Sequence, residues 1–373
     1  MKLLYYVGTG SNKFGGLEKF NISLFQLLIR NKIDLVVVYR RPIVDGPFKN
    51  FLDKNHIYYQ SIFDSFNLAG ESKLTNALRL AKIIAKEKPD LIHYNFANLF
   101  DITISRWYNL FGKFKSIYTE HCHPDLRDSR VRTVYAGISL FVNKILCVSQ
   151  AINREFMENL HSKKSQTLYL GVPGNKYKRA KCRKQYGFKD DEIIITNIAY
   201  HDRVKGVDVL LRAIAYLKND LGVSNFRVVQ VGGSPYKDTA AGLELLYSEA
   251  NLGNVFEMWG LRNDVDQILA ASDLYCQPSR SEGIPLSLME AGMAMLPVVA
   301  TNVGGIPEVA RNNENALLCK SEDYKDIAIK IKSLIDSHER RKEMGEKGYK
   351  LAYTDFNIER QAEKLLDIYS KTK

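Results

Sequence analysis

Short apolar runs alternate along the chain with longer stretches in which apolar residues recur every three or four positions. In the first half, the runs predict strands at residues 3–7, 34–38, 91–94, 116–118 and 144–148, with a first helix near 17–31. In the second half, strands are predicted at 193–198, 227–231, 255–258, 274–277 and 297–300, and helices near 207–218, 240–250, 265–271, 285–295 and 324–338. Strands and helices that alternate in this way form parallel sheets.

The alternation is interrupted around residues 171–189, where Pro173, Gly174 and several basic residues replace the apolar pattern. A chain of 373 residues is long enough for two domains of ordinary size. We therefore predict an α/β protein with two doubly wound, Rossmann-like domains, residues 1–175 and 176–355. In such domains the ligand-binding loops follow the carboxyl ends of the strands.

The composition is typical of a globular protein, with 45% hydrophobic and 25% charged residues. The apolar stretches are all shorter than the roughly 18 residues of a membrane-spanning helix, and the N-terminus lacks the pattern of a signal peptide. The five cysteines are scattered, odd in number and without paired metal-ligand spacing, which favours a reducing compartment. We therefore expect a cytoplasmic protein.

The excess positive charge lies entirely in the first half. Residues 1–180 contain 27 Lys and Arg against 14 Asp and Glu, a net charge of +13, whereas the remainder has a net charge of −2. Such a half suits an anionic acceptor or an anionic membrane surface, or it is a solvated lysine-rich surface. No nucleic-acid-binding signature accompanies the charge, so a nucleic-acid partner is not predicted.

One segment of the basic half mixes Trp107, Tyr108, Phe111 and Phe114 with Arg and Lys. Aromatic residues at helical spacing are typical of a core-facing helix, and together with basic residues they are also typical of a helix that lies on a membrane. Peripheral attachment to the inner membrane face is therefore a second hypothesis for the location of the protein.

Residues 281–292, Ser-Glu-Gly-Ile-Pro-Leu-Ser-Leu-Met-Glu-Ala-Gly, carry the most specific chemistry in the chain. Pro285 suits the first position of a helix, and Gly283 lets a ligand approach the backbone just before it. The free N–H groups and the helix dipole at that end form an anion site. Glu282 precedes the helix and Glu290 lies about one and a half turns inside it. Carboxylates beside a phosphate site can accept hydrogen bonds from sugar hydroxyls.

This segment, with seven residues between its two glutamates, resembles the donor site of the family 4 glycosyltransferases. The resemblance extends in ordered blocks over residues 1 to about 365. The other blocks are Gly15-Gly16-Leu17-Glu18, Lys88-Pro89-Asp90-Leu91-Ile92-His93, Thr119-Glu120-His121, Cys147-Val148-Ser149, Lys205-Gly206-Val207-Asp208, Pro297-Val298-Val299-Ala300-Thr301 and Gly304-Gly305-Ile306-Pro307-Glu308. Each block alone is weak, and the ordered set carries the resemblance.

The resemblance implies a GT-B fold, in which two Rossmann-like domains face each other across a cleft. It implies an acceptor-binding N-terminal domain, a nucleotide-sugar-binding C-terminal domain, and a final helix within 356–373 that crosses back to the first domain. The implied activity is that of a retaining, metal-independent glycosyltransferase. It would move a sugar from a nucleotide-sugar, with a UDP-sugar favoured, to a glycan or lipid-linked acceptor in cell-surface polysaccharide or glycoconjugate synthesis.

The resemblance also implies a role for each candidate site residue. Glu290 is expected to bind the ribose and Glu282 the donor sugar. Lys205, with Arg203 nearby, is expected to offset charge as the nucleotide leaves. His121 is expected at the cleft, beside a sugar hydroxyl or the reacting groups. Main-chain groups of the remaining candidates are expected around the phosphates, the acceptor or the base: Gly283, Ile284, Leu286, Gly16, Gly233 and Leu261.

Two positions depart from the family pattern. Tyr200 stands five residues before Lys205, where the family usually has Arg, and Leu170 stands where the family tends to have Asn. The first departure supports an alternative function, a non-catalytic glycan- or membrane-binding subunit with the same fold. A phosphorylase or epimerase of this fold is a further alternative, although no pair of acid–base carboxylates is evident in the first domain.

Three other motifs have simpler interpretations. The glycines at 8, 10, 15 and 16 lack the Gly-x-Gly-x-x-Gly spacing of a dinucleotide site. His121 and His123 flank Cys122 but lack the carboxylate partners of a metal site. Asp264-Val265-Asp266 has the Asp-x-Asp spacing of metal-dependent glycosyltransferases, but we predict a helix start here, with Asn263 or Asp264 as the cap before Val265. We expect no metal ion.

Overall fold

The computed structural model of the protein describes residues 1–9, 16–63, 72–108, 114–122, 124–233, 237–250 and 252–372. The chain forms two compact units, Met1–Gly171 with Ile358–Lys373, and Val172–Asn357. Each unit is built on one sheet whose strands all pair in parallel. The predicted fold class, two doubly wound α/β domains, is confirmed.

The first unit has a seven-stranded sheet in the order β3-β2-β1-β4-β5-β6-β7. Its strands are β1 (Lys2–Val7), β2 (Asp34–Tyr39), β3 (Tyr58–Ser61), β4 (Leu91–Asn95), β5 (Lys115–Glu120), β6 (Lys144–Cys147) and β7 (Ser165–Thr167). Its helices are α1 (Gly16–Arg30), α2 (Pro47–Lys54), α3 (Lys73–Glu87), α4 (Leu99–Tyr108), α5 (Ser129–Phe141), α6 (Gln150–Leu160) and the last helix of the chain, α15 (Ile358–Thr372).

Helices cover both faces of this sheet, because successive residues of a strand point to opposite faces. Tyr5 of β1 packs edge-on against Phe25 of α1, with ring centroids 5.1 Å apart. The next residue, Tyr6, donates a 3.0 Å hydrogen bond to Asp101 of α4. On the face of Tyr5, the hydroxyl of Tyr369 in α15 lies 2.6 Å from His93 Nδ1. The last helix of the chain therefore completes the core of the first unit.

The second unit has a six-stranded sheet in the order β10-β9-β8-β11-β12-β13. Its strands are β8 (Ile193–Ile198), β9 (Phe226–Val231), β10 (Phe256–Met258), β11 (Leu274–Gln277), β12 (Val298–Thr301) and β13 (Ala316–Cys319). Its helices are α7 (Arg179–Tyr186), α8 (Val207–Asn219), α9 (Lys237–Glu249), α10 (Val265–Ala271), α11 (Leu286–Met293), α12 (Ile306–Val309), α13 (Tyr324–Ile335) and α14 (His338–Asp355).

All the predicted strands and helices are present, with ends shifted by no more than about three residues, as is usual for helix and strand boundaries. The outer strands β3, β7 and β13 were not predicted from the sequence. β3 and β7 read Tyr-Tyr-Gln-Ser and Ser-Gln-Thr, and neither contains a buried residue. These two edge strands bury little side-chain surface, so their sequences do not show the apolar run that identified the inner strands. β13, by contrast, reads Ala-Leu-Leu-Cys and is mostly buried, so its apolar run was overlooked in the sequence.

The predicted linker at 171–189 contains α7, a helix that the charged sequence did not indicate. Arg183 of α7 is buried and donates hydrogen bonds of 3.0 Å to Asp273, 3.1 Å to the carbonyl of Ala271 and 2.7 Å to that of Glu192. A buried guanidinium with several acceptors fixes the helix against the connection between α10 and β11. The basic run is therefore partly a structural element of the second unit.

None of the helices in the described ranges combines the length and the hydropathy that crossing a lipid bilayer requires.

Candidate active site

Glu282 lies in the loop between β11 and α11, at the carboxyl end of the second sheet, and only 7% of it is exposed. Both of its oxygens lie 2.9 Å from Lys205 Nζ. Its Oε1 also accepts hydrogen bonds from Ser279 Oγ at 2.7 Å and Gln277 Nε2 at 3.1 Å. The structure thus brings together two of the predicted site residues, Lys205 and Glu282, as an ion pair in which the carboxylate is the buried partner.

Lys205 ends a short 3-10 turn, Arg203–Lys205, which follows β8. The next residue, Gly206, has φ 67°, and a Cβ atom on it would lie 2.1 Å from the carbonyl oxygen of Pro278. Only glycine fits there, because the turn needs a left-handed residue packed against the loop before Glu282. This close approach of two backbones places the Lys205 ammonium on the carboxylate.

Arg280, which the sequence did not indicate, joins the same two loops. Its guanidinium donates to both carboxylate oxygens of Asp208, at 2.8 and 2.7 Å, and to the carbonyl of Arg203 at 2.5 Å. It also pairs with Glu322. Asp208 belongs to the Lys-Gly-Val-Asp block, but nothing in the spacing of the sequence connects it with an Arg more than 70 residues away.

Arg203 does not join the Lys205–Glu282 pair. Its side chain is exposed and makes no ion pair with a described residue. Only its main-chain carbonyl takes part, as an acceptor for Arg280. Tyr200, at the position where the family usually has Arg, is half-buried after β8. Lys205 is therefore the cation that the structure places on Glu282.

A second glycine, Gly304, packs its backbone against the backbone of Glu282. It follows β12 with φ 52°, and a Cβ atom on it would lie 1.9 Å from the carbonyl oxygen of Glu282. The same carbonyl accepts a 3.3 Å hydrogen bond from Gly305 N–H. The first glycine of the Gly-Gly block after β12 is thus required by the close contact with the backbone of Glu282.

The helix α11 starts at Leu286, so the expectation that Pro285 is its first residue is wrong by one position. Pro285 is the N-cap, with φ −80° and ψ 119°, and no side chain in the described part of the chain caps this end of the helix. The N–H groups of Gly283, Ile284 and Leu286 have no acceptor among the described residues. Unpaired N–H groups at a helix start can bind an anion.

Glu290 lies in α11, one turn after Leu286, and is half-buried. Burial raises the pKa of Tyr275, and the negative charges of Glu290 and Glu282 add to this effect. Both predicted carboxylates therefore contribute negative charge near the Tyr275 hydroxyl.

Gly233 and Leu261 are neighbours, as the prediction of a shared base site requires. A Cβ atom on Gly233 would lie 3.5 Å from Leu261 Cγ, and Gly233 accepts a 3.0 Å hydrogen bond from His201 N–H. The adjacent Gly232 has φ 137° and lies against the carbonyl of Ala199, too close for any side chain. These residues follow β9 and β10, at the same end of the sheet as Glu282.

Asp264, just before α10, has a role other than the predicted one. Asp264 occupies the N-cap position, but its side chain does not cap the helix. It accepts hydrogen bonds from Arg262 at 2.9 and 2.6 Å and from the Tyr186 hydroxyl at 2.8 Å. The capping prediction is wrong because a guanidinium outcompetes the backbone N–H groups for this carboxylate.

In the first unit, His121 follows β5 and stacks on Phe96, with centroids 4.3 Å apart and an interplanar angle of 11°. Its Nε2 lies 3.0 Å from Asn95 Oδ1. Burial lowers the pKa of His121 to about 4, so its imidazole is neutral at physiological pH. Gly16 starts α1, whereas Gly10, Gly15, Phe111 and His123 lie outside the described residues.

A buried carboxylate beside His121 was also missed. Glu120 accepts hydrogen bonds from the Tyr118 hydroxyl at 2.8 Å and from Cys122 N–H at 2.9 Å. Burial raises the pKa of Glu120 above its usual range. Over the described ranges, the structure contains no cluster of three or more His, Cys, Asp or Glu side chains with metal-site geometry.

Comparison with known proteins identifies the family. The model described as "Glycosyl transferases group 1" matches residues 178–351, and "Glycosyltransferase Family 4" matches residues 14–175. An uncharacterized glycosyltransferase of Methanocaldococcus jannaschii is 30% identical over 285 residues, which cover 75% of each chain. An Escherichia coli UDP-Gal:alpha-D-GlcNAc-diphosphoundecaprenol alpha-1,3-galactosyltransferase is 22% identical over 378 residues, 95% of this chain and 93% of the relative.

Among solved structures, Anabaena HepE in complex with UDP and glucose superimposes with a TM-score of 0.83. It is 20% identical, and the alignment covers 99% of both chains. At this identity the similarity shows the fold alone, which is the GT-B fold predicted from the sequence.

The Lys205–Glu282 pair should show energetic coupling. Lys205→Met leaves a buried carboxylate without its cation and should reduce the free energy of unfolding by about 1–3 kcal/mol. Adding Glu282→Gln should recover part of this loss, because a neutral amide needs no cation. Urea unfolding of the wild type, both single variants and the double variant measures the coupling. The coupling would be contradicted if the losses of the two single variants sum to the loss of the double variant within about 0.5 kcal/mol.

Lys332→Met is the matched control for this cycle. Lys332 of α13 forms an exposed pair at 2.5 Å with Asp336, the C-cap residue of this helix. Exposed pairs of this kind contribute about 0.3–0.5 kcal/mol, so the control should remain close to the wild type.

Stability should fall between pH 7 and pH 5, in part because of His121. Its pKa of about 4 in the folded state lies below the unfolded value of about 6.5. The neutral imidazole therefore stabilises the fold fully above pH 6.5, and this contribution disappears as the pH falls toward 4. In His121→Asn, the free energy of unfolding should fall by about 2 kcal/mol less than in the wild type between pH 7 and pH 5.

The measurement is the free energy of unfolding in urea at several pH values. His56→Asn, which replaces an exposed histidine of the same unit, should follow the wild type. His93, whose pKa burial lowers to about 3, contributes a decrease of the same sign in all variants. An unchanged pH profile in His121→Asn would show that His121 is not held neutral.

Proposed function

Because the chain belongs to the family 4 glycosyltransferases, we propose that it transfers a sugar from a nucleotide-sugar to a hydroxyl of a glycan or lipid-linked acceptor. A UDP-sugar is the preferred donor, the anomeric configuration is retained, and the reaction needs no metal. The observation that carries the proposal is the Lys205–Glu282 pair beside the N–H groups that precede α11.

In this proposal the donor diphosphate binds the N–H groups of Gly283, Ile284 and Leu286. An ammonium group has three N–H donors, and two of those on Lys205 point to the oxygens of Glu282. The third donor of Lys205 binds a phosphate oxygen. Glu282 accepts a hydrogen bond from a hydroxyl of the donor sugar, and Glu290 accepts one from a hydroxyl of the ribose.

The chemistry needs no covalent intermediate with the protein. The bond between the anomeric carbon and the phosphate oxygen breaks, and its electron pair leaves with the nucleoside diphosphate. The acceptor oxygen bonds to the anomeric carbon from the same face, and its proton passes to the departing phosphate. Lys205 and the N–H groups stabilise the negative charge that develops on the leaving group.

Two named proteins favour this choice of substrates. The Escherichia coli relative is named for UDP-Gal and for an acceptor linked to diphosphoundecaprenol. The Anabaena protein was solved with UDP and glucose. Uridine nucleotides and a polyprenyl-diphosphate-linked glycan are therefore the first substrates to test.

The acceptor is assigned to the first unit, where a groove of about 580 Å³ lies between α6, residues 167–169 and α15. Amide and charged side chains line it, including those of Gln150, Arg154, Gln361 and Lys364. Its volume is typical of ligand sites, and its polar lining suits a glycan.

The first unit is also the part that we propose to contact an anionic membrane at the inner face. Trp107 on α4 is 67% exposed and Leu140 on α5 is 77% exposed, while Tyr108 lies beside Trp107 and is half-exposed. Phe114, by contrast, is buried, so the interpretation of this segment as an interfacial face is wrong at that residue. Exposed aromatic and aliphatic side chains in a basic domain suit an anionic lipid surface.

A thermal-shift screen of UDP, GDP, ADP and CMP tests the donor site. One nucleotide at 100 times its dissociation constant should add about 2.7 kcal/mol to the stability of the wild type. Glu290→Ala should lose this gain, because it removes the proposed ribose acceptor. Glu346→Ala, an exposed substitution on α14, should keep it.

The outcomes of this screen separate the candidate functions. A nucleotide that stabilises the wild type, followed by transfer or hydrolysis of the matching nucleotide-sugar, supports the transferase. Binding without turnover would favour the non-catalytic subunit, and no stabilisation by any nucleotide would remove the donor site itself.

Membrane contact is tested by co-sedimentation with vesicles of phosphatidylglycerol and phosphatidylcholine. The wild type should bind them more tightly than vesicles of phosphatidylcholine alone, and Trp107→Ser/Leu140→Ser should reduce binding about tenfold by removing apolar contact area. Leu245→Ser, at an exposed leucine of the second unit, is the control. Equal binding of both vesicle types, or none, would contradict the proposal.

A further inference from the structure

We propose that Gln277 is a positioning residue that fixes one oxygen of Glu282 and thereby directs the other oxygen at the donor sugar. This inference rests on the proposed function and assigns a specific role to a side chain that the reaction itself does not need. Gln277 is the last residue of β11 and is almost completely buried.

The two oxygens of Glu282 have unequal surroundings. Oε1 accepts from Ser279 at 2.7 Å, from Lys205 at 2.9 Å and from Gln277 at 3.1 Å. Oε2 has one partner among the described residues, Lys205 at 2.9 Å. Each carboxylate oxygen offers about two lone-pair directions. Oε1 is therefore saturated, and the open acceptor position lies on Oε2.

The amide of Gln277 can adopt only one orientation. Its Oε1 accepts from the Tyr275 hydroxyl at 2.7 Å and from Ser287 Oγ at 3.3 Å. Its Nε2 donates to Ser279 Oγ at 2.7 Å and to Glu282 Oε1 at 3.1 Å. Rotation of the amide by 180° would place its oxygen against Glu282 Oε1 with no proton between two acceptors, so the carboxylate fixes the hydrogen-bonded orientation.

This orientation connects the two halves of the donor site. Ser287 lies in the first turn of α11, where the phosphates are proposed to bind, and Glu282 lies where the sugar is proposed to bind. Loss of Gln277 should leave the phosphate contacts intact and release the Glu282 carboxylate from its fixed direction. The effect should therefore fall on the sugar and not on the nucleotide.

The test compares binding of UDP and UDP-glucose to the wild type and to Gln277→Met, which has a similar length and cannot form the hydrogen bonds. Calorimetry should show affinity for UDP-glucose reduced about tenfold, with affinity for UDP within about twofold of the wild type. Ser279→Ala removes a second donor to Oε1 and should act in the same direction. It also provides an independent variant if Gln277→Met does not fold.

Thr196→Val is the matched control, since Thr196 is buried on the neighbouring strand β8 and its hydroxyl lies 2.6 Å from Ser272 Oγ, without contact with Glu282. It should leave the ratio of the two affinities unchanged. Equal losses of UDP and UDP-glucose, or no loss, in both Gln277→Met and Ser279→Ala would overturn the inference. A wild type that binds UDP-glucose no more tightly than UDP would also overturn the inference. A wild type that binds neither ligand would overturn the UDP-sugar donor of the proposed function.

Discussion

A carboxylate buried at the end of a sheet must be surrounded by hydrogen-bond donors, and Glu282 shows how much of the second unit this requirement organises. Lys205 supplies the opposite charge, and Ser279 and Gln277 supply neutral donors. The cation reaches the carboxylate only because Gly206 lets one loop lie against the backbone of another. Arg280 then joins the same two loops through Asp208. The candidate donor site is therefore a consequence of how one buried negative charge is satisfied.

The parts of the fold that follow from local physics could be predicted from the sequence. Inner strands such as β8 and β11 are mostly apolar because both faces of the sheet are covered, and both were predicted at their observed positions. The edge strands β3 and β7 escaped prediction because their residues are only partly buried. The helix α7 was missed for a related reason, since a buried Arg183 looks in the sequence like part of a solvated basic run.

The residues of the candidate site also fall into those that the sequence revealed and those that only the tertiary contacts revealed. Glu282, Glu290 and Lys205 were found because they belong to ordered blocks that resemble a family. Arg280 and Gln277 were not found, because their importance comes from partners that are distant in sequence or from an amide orientation that no pattern encodes. Asp264 shows the opposite error, in which a locally reasonable helix cap gave way to a guanidinium and a tyrosine hydroxyl. Local rules identify candidate side chains, and tertiary contacts decide which of them cooperate.

The position of α15 has a consequence for the synthesis of the protein. The second unit is one continuous segment, Val172–Asn357, so all of its residues are synthesised before Ile358–Thr372. The first unit lacks a core helix until Ile358–Thr372 is made, because Tyr369 meets His93 there and Leu365 fills the space beside α1. The part of the chain made first is therefore the last to be complete, and its partly uncovered sheet must stay free of aggregation while the second unit folds.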